Sequence, residues 1–436
     1  MRPDTLEVNS RGVIRVGGID VVQLAEEYGT PLYVLDYRTL RRYARQYRDM
    51  LAELSPPGVA CYAGKAHLSV ALAGFLQHEG LGLDVVSGGE LYTALTAGFN
   101  PGRIVFHGNL KTEDEIRAGL EARVGYFVVD SLDELQLLGQ LARARGVSQR
   151  VLLRLTPGIE AHTHEFIRTG QFDSKFGFGV AEGIADRAVA AALATAGVSL
   201  AGFHAHIGSQ ILEEDPFLAN AEVLLTYSRH WQRARGWWPE VLDLGGGFGV
   251  RYQPEDDPPA LERIMAGLRR QLRVGTPAGV APPQIFLEPG RSIVAEAGIT
   301  IYTVGATKTV PGDKRYVAVD GGMGDNIRPA LYQARYQAIV DGKDPDGPRE
   351  IVTVAGRYCE SGDILVRDVE LPPMVAGDRL VVLGTGAYNY AMASNYNRVP
   401  RPPVVVVKDG EARVWVQRES WADLTRLDRP FHPFAD

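Results

Sequence analysis

The chain is poor in lysine, with seven among its 46 basic residues, so a lysine set directly after a strand is informative. Lys65 is such a residue, in the run YAGKAH (62–67) that closes the apolar segment 59–63. Most lysines are solvated surface charges. One held at the mouth of an apolar strand is desolvated, its pKa falls, and its amine becomes free to form a Schiff base. Three consecutive glycines, Gly245–Gly247, follow Val241-Leu242-Asp243-Leu244, and Glu288-Pro289-Gly290-Arg291 follows Ile285-Phe286-Leu287. Glycines let backbone N–H groups close on an anion, and Ser209, Gly290 and Arg291 add donors suited to a phosphate. A glycine run alone is equally a tight turn, so the weight rests on where these residues fall together. His204 and His206 lie two apart, which would put both on one strand face as a metal pair. No HExxH pattern, third histidine or carboxylate cluster at ligand spacing accompanies them, and no metal is expected. His206 is suited instead to stack on a ring.

Eight short β-branched runs carry these residues at their ends: 59–63, 83–87, 103–107, 126–130, 150–155, 201–207, 240–244 and 284–288. Amphipathic stretches separate them, two of which open with Ser-x-x-Glu, Ser87/Glu90 and Ser131/Glu134, the pattern of a reciprocal helix cap. Eight strands with helical crossovers over roughly 250 residues predict a (β/α)8 TIM-type barrel; the alternative, a doubly wound open sheet, seldom reaches eight units. In a barrel the C-terminal strand ends carry the chemistry. Lys65 then follows strand one, Asp84 with Ser87 and Gly88-Gly89 strand two, and His107-Gly108-Asn109 strand three. Arg154 ends strand five, His206–Ser209 strand six, Gly245–Gly247 strand seven and Glu288–Arg291 strand eight. Loops after strands seven and eight are the usual phosphate site of the fold. A phosphate-bearing cofactor joined to a lysine amine points to pyridoxal 5′-phosphate. Glu288 would then keep its ring nitrogen protonated, the state in which it best stabilises a carbanion; otherwise Glu288 is an ordinary salt-bridged or capping glutamate.

Past residue 291 the helical period gives way to strand-like runs, the last of which holds Asp409-Gly410 between two apolar stretches, a two-residue hairpin signal. The expected organisation is a barrel over 31–290 and a β-sandwich or β-barrel domain over 291–436, completed by strands within 1–30. A net charge of −7 offers no basic field to nucleic acid or an anionic membrane. The first ten residues lack the apolar core of a signal peptide, and no apolar run approaches the ~18 residues of a spanning helix. Two cysteines, Cys61 and Cys359, make neither a disulfide framework nor a zinc site and fit a reducing cytoplasm.

With these residues assembled, the chain resembles the fold-type-III pyridoxal-phosphate decarboxylases over nearly its whole length. The segments that carry the resemblance are YAGKAH, DVVSGGEL (84–91), HGNLKTEDE (107–115), HIGSQ (206–210), LDLGGGFGV (242–250), EPGRSIV (288–294), RPALY (328–332) and CESGD (359–363). THEFIRTGQFDSKFGFG (163–179), RPALY and the SNYN run (394–397) resemble in particular the branch acting on diaminopimelate. Leu110 departs from the pattern, standing where a polar residue is expected. The resemblance implies Lys65 as the Schiff-base lysine, His206 stacked on the ring, and Glu288 at the ring nitrogen with Asp84 nearby. It implies Ser209, Gly247, Gly290 and Arg291 around the phosphate, and Arg291, Arg328, Tyr332 and Glu360 as substrate contacts. Tyr388 would touch substrate and cofactor, and Cys359 would return a proton after CO2 leaves. The implied reaction is decarboxylation of meso-2,6-diaminopimelate to L-lysine, the last step of lysine biosynthesis, in a homodimer whose Cys-Glu-Ser loop is donated in trans.

Arginine forks for a distal carboxylate and a carboxylate for a distal ammonium suit a substrate with an amino-carboxylate at each end. Each of Arg328 and Glu360 is otherwise a surface ion-pair residue, and Cys359 a small buried one. The rivals are an ornithine, arginine or carboxynorspermidine decarboxylase on the same fold, for which a distal arginine pocket is wasted; a regulatory paralogue, which the presence of Lys65 and Cys359 disfavours; and a metal-dependent barrel hydrolase.

Overall fold

The computed structural model describes the chain except residues 1, 160–174, 181–182, 433 and 435–436. Two compact units emerge, Leu40–Ala295 and a second formed by Met1–Thr39 with Glu296–Asp436.

In the first unit eight parallel strands close on themselves: Val59–Ala63, Gly82–Val85, Ile104–Phe106, Tyr126–Val129, Gln149–Thr156, Val198–His204, Val241–Asp243 and Gln284–Leu287. Each pairs with the next, and the eighth returns to the first through Phe286 opposite Val59. Cys61, Val105, Tyr126, Val128, Leu152, Ala201, Val241 and Phe286 form one buried cluster of this unit. A side chain from nearly every strand meets there, so the barrel is a packed core rather than a pore.

Several local expectations shift. The sixth strand was expected over 201–207; it begins at Val198 and ends at His204, with only Ala205 N–H adding one further bond, to Asp243 O. His206 therefore lies beyond the strand rather than two places along the same face as His204. Ser87 and Ser131 do cap their helices, accepting from the N–H of Glu90 and Glu134. The glutamates, however, reach one residue further back than a reciprocal cap requires, to Val86 N–H and Asp130 N–H. The reciprocal arrangement is made instead by Thr112 and Glu115 at the head of the helix Glu113–Ala122.

In the second unit a mostly antiparallel sheet runs in the order Ile364–Leu371, Glu350–Ala355, Lys314–Val319, Gly298–Val310, Leu32–Asp36, Val404–Lys408, Glu411–Val416, with Arg379–Leu383 pairing the long strand Gly298–Val310. Asp409 and Gly410 have φ of 52° and 85° and join the last two strands in a tight hairpin, as their sequence announces. Leu32–Asp36 lies in this sheet, between Gly298–Val310 and Val404–Lys408, although a division at residue 31 assigns it to the barrel. Buried at every position, it reads in sequence like any barrel strand. The first twenty residues form a small antiparallel sheet of their own, Glu7–Val8, Ile14–Val16 and Ile19–Asp20. They join this unit by packing Leu6, Ile14, Val16 and Ile19 against Leu32, Val34, Ile299, Ile301 and Val405.

Candidate active site

The C-terminal strand ends of the barrel surround a cavity of about 340 Å³ lined by Lys65, Asp84, His107, Arg154, His204, His206 and Glu288, with Val86, Gly108, Asn109, Leu110 and Phe176. That volume suits a small organic ligand. Lys65 sits in a single 3-10 turn, Gly64–Ala66, straight after the first strand. Its neighbours Gly64 and Ala66 are buried while Lys65 itself is exposed to the cavity, so protein atoms alone do not desolvate it as expected. Leu110, the departure from the family pattern, is 80% exposed and on the cavity wall.

Glu288 lies at the bottom of the charge pattern, 5% exposed. His204 Nε2 is 3.3 Å from its Oε2 and His107 Nε2 2.5 Å from its Oε1. Burial alone would push the Glu288 carboxyl up; the two histidines outweigh it and hold the group well below the usual carboxylate range. Burial drives His204 down to about 3, so it is a neutral imidazole. Asp84 is pushed up to about 6 by burial, against the pull of His107, and Asp243 well above its ordinary range by burial and by the charge of Glu288. Burial thus works against ionisation of Asp84 and Asp243, while the histidines favour it at Glu288. His107, His204, Asp243 and Glu288 also bring four ligand-type atoms within 4.8 Å, a grouping from four separate strand ends that sequence spacing could not reveal. Both histidine Nε2 atoms already face Glu288, and the same atoms would have to turn to a metal.

His206 accepts at Nδ1 from Gly246 N–H, 3.2 Å, which ties the stacking candidate to the glycine triplet. Those glycines are required sterically. A Cβ on Gly246 would fall 2.1 Å from Glu288 O, and one on Gly247, at φ +99°, 2.4 Å from Gly208 O. Nearby, Arg291 donates to Ser209 Oγ (2.9 Å) and Tyr252 OH (3.0 Å), and is 6% exposed. Tyr252 was not anticipated from the sequence.

In the second unit Arg328 opens the short helix Arg328–Tyr332 and donates through Nε to Tyr336 OH, 3.0 Å. Its guanidinium lies 5.4 Å from the Tyr332 ring centre and 5.5 Å from that of Tyr388, which has φ of 61°. Cys359 and Glu360 are exposed, at the tip of a turn whose base is fixed by Asp363 accepting from Tyr358 N–H and Met323 N–H. Two residues of the SNYN run support that tip: Asn397 Oδ1 accepts from Cys359 N–H, 3.0 Å, and Tyr396 OH donates to Glu360. The run stood out in sequence; its task did not. Of 163–179, residues 163–174 lie outside the described residues. The candidate residues thus form two sets, one in each unit.

The residues present fit pyridoxal phosphate. A lysine amine opens on the cavity, and Glu288 Oε1, buried there, has no aligned hydrogen-bond donor among the described residues, a vacancy suited to a ring N–H.

The pyridoxal-binding domain model of the pyridoxal-dependent decarboxylases matches residues 39–295. A curated diaminopimelate decarboxylase of Bacillus subtilis (strain 168) is 47% identical over 431 residues, 98% of each chain. One of Staphylococcus aureus (strain COL) is 43% identical over 425 residues, 96% of this chain and 98% of its own. Among solved structures, a diaminopimelate decarboxylase of M. jannaschii in complex with L-lysine superposes with a TM-score of 0.92 at 35% identity, covering 99% of both chains.

Proposed function

Because the chain belongs to the pyridoxal-dependent decarboxylases and, within them, to the diaminopimelate decarboxylases, we propose that it converts meso-2,6-diaminopimelate to L-lysine and CO2, the closing step of lysine biosynthesis. The observation that carries the residue assignment is the opening of Lys65 and of Glu288 on one cavity at the strand ends of the barrel.

Pyridoxal phosphate, when bound, supplies an electron sink for the charge left on the α-carbon as CO2 departs. Lys65 Nζ holds it covalently between turnovers. Glu288, with Asp84 close by, would keep its ring nitrogen protonated, and His206 would stack on the ring. Ser209, Gly247, Gly290 and Arg291 hold the phosphate, the glycines by backbone N–H. Lys111 is the competing buried lysine, but its three protons are taken by Gly108 O, Val128 O and Glu134 Oε1.

Arg291, Arg328, Tyr332, Glu360 and Tyr388 hold the substrate, Tyr388 also touching the cofactor. The two charges at the far end of diaminopimelate need an arginine fork and a carboxylate, the roles of Arg328 and Glu360. Cys359 Sγ returns a proton to the α-carbon. Cys359 and Glu360 reach the site from a second copy of the chain, so the working unit is a homodimer with shared sites. The partition of the candidate residues between two units and the exposure of the Cys359–Glu360 tip support this. Two cysteines without a disulfide support a cytoplasmic setting. No described helix is long and apolar enough to cross a membrane.

Incubation with pyridoxal phosphate and meso-diaminopimelate should yield equimolar lysine and CO2; equal turnover of L-ornithine overturns the substrate assignment. After borohydride reduction, mass spectrometry should find the pyridoxyl group on Lys65. Lys65→Ala and Cys359→Ala chains, inactive apart, should regain about a quarter of wild-type activity after subunit exchange, as one intact site forms per heterodimer. Verified exchange without recovery rules out donation in trans.

A further inference from the structure

Two histidines in the barrel have no part in the scheme above, yet face the one residue on which the ring nitrogen depends. His107 comes from the exit of the third strand and His204 from the end of the sixth; both side chains are at most 5% exposed. Their rings meet edge to face, centres 4.8 Å apart, with the Glu288 carboxylate spanned between the two Nε2 atoms, 2.5 Å and 3.3 Å away. His204 Nδ1 is buried with no hydrogen-bond partner among the described residues, which leaves Nε2 as the nitrogen that carries its proton toward Glu288. Other charged or titratable groups around the carboxylate include Asp84, Asp243, Lys65, Arg154, His206 and Cys61. Asp84 is the next partner of His107, at 3.8 Å.

We propose that His107 and His204 are positioning residues that keep Glu288 a weak base, so that the proton it shares with the cofactor's ring nitrogen stays on the ring. This rests on Glu288 as the ring-nitrogen partner. A carboxylate in a dry core without donors is strongly basic and takes a shared proton from a neighbouring heteroaromatic nitrogen. The His204 N–H aimed at Oε2 and the electropositive ring edge of His107 held against Oε1, close but not aligned as a hydrogen bond, favour the ionised form and lower that basicity. With both histidines in place the carboxylate stays charged, the ring nitrogen stays cationic, and electron withdrawal from the α-carbon is greatest. The direction of the perturbation on Glu288, below the ordinary range despite full burial, agrees. The arrangement also accounts for two buried histidines at barrel strand ends that the scheme above leaves without a task.

The test uses holoenzyme loaded with pyridoxal phosphate carrying 15N in the ring. The wild-type ring signal should lie in the protonated range. In His204→Met, and further in His107→Met/His204→Met, it should move at least half-way to the unprotonated range. The kcat should fall about ten- to a hundred-fold with KM changed less than about two-fold, as expected when only transition-state stabilisation is lost. His204→Gln, which restores an N–H donor, should return the signal most of the way. A loaded double variant that keeps the wild-type signal overturns the proposal. Should the variants fail to fold, 15N-histidine spectra of the wild-type holoenzyme decide: His204 protonated on Nε2 is the expected state, and protonation on Nδ1 overturns the proposal. Glu288→Gln separates the layers. If it leaves the ring signal unchanged, the pairing with Glu288 itself fails; if it moves the signal and the histidine variants do not, only the role of the histidines fails.

Discussion

Two of the ionic groups buried in the barrel unit are built to opposite standards. Lys111 and Glu134 are saturated: Lys111 Nζ donates to two carbonyls and to Glu134 Oε1, while Glu134 Oε2 accepts from Asp130 N–H. A few residues away, Asp84 Oδ1, His107 Nε2, His204 Nδ1, Asp243 Oδ2 and Glu288 Oε1 are buried without an aligned partner among the described residues. Buried polar atoms without partners are costly, so natural folds retain them where a ligand or a reaction completes the set. Saturation therefore marks the ion pair that holds the loop Gly108–Lys111 in place, and incompleteness marks the chemistry.

That contrast can be broken by substitution. The largest effect should fall on activity alone: Lys65→Ala should cut turnover by on the order of a thousand-fold or more, while the free energy of unfolding changes by no more than about 0.5–1 kcal/mol. Lys111→Met should do the reverse. It strands a buried glutamate and should cost about 3–5 kcal/mol in denaturant unfolding, whereas Lys111→Met with Glu134→Leu should recover most of the loss. Equal destabilisation by both lysine substitutions would erase the distinction.

The second unit offers an intermediate case. Asp325 is 2% exposed and accepts from Tyr302 OH (2.5 Å) and Gly322 N–H (2.8 Å), with no cation among these donors. Burial pushes its carboxyl up to about 7. The folded state therefore holds a proton that the unfolded state has lost, from about pH 4 to about pH 7. Stability should decline by up to a few kcal/mol as pH rises across that window and level off above it. Asp325→Asn should flatten the decline; melts across pH 4–8 measure it. The smallest effect is expected at the exposed tip. Tyr396→Phe removes one hydrogen bond to Glu360 and should raise KM for diaminopimelate about three- to ten-fold with little change in kcat, near 1 kcal/mol.

Much of this was legible in the order of residues. The eight barrel strands announce themselves because most of the short β-branched runs end in, or lead straight into, a glycine, histidine or charged residue, and amphipathic stretches separate them. Leu32–Asp36 escaped because a strand covered on both faces carries no alternation to show which sheet it serves. Lys65, Glu288 and the glycine triplet were legible from their shared place at strand ends. The job of His204 was not: its partner lies 84 residues away on another strand, and proximity across a barrel leaves no trace in local spacing. The same is true of Asn397, which reaches back 38 residues to Cys359 N–H. Glu90 and Glu134 matched a capping pattern yet reach past it, since for Glu134 the pull of Lys111 competes with the helix end.

The two cysteines differ in a way that experiment can use directly. Cys61 is 1% exposed inside the barrel, its thiol pushed well above the ordinary range by burial, whereas Cys359 is exposed. A thiolate-seeking reagent therefore meets two very different targets. In labelling terms the native chain behaves as a single-cysteine protein: one maleimide dye or spin label per chain, placed without mutagenesis, at the residue whose neighbourhood in the assembled enzyme is of most interest. Label-to-label distances between paired chains would then map where that residue sits.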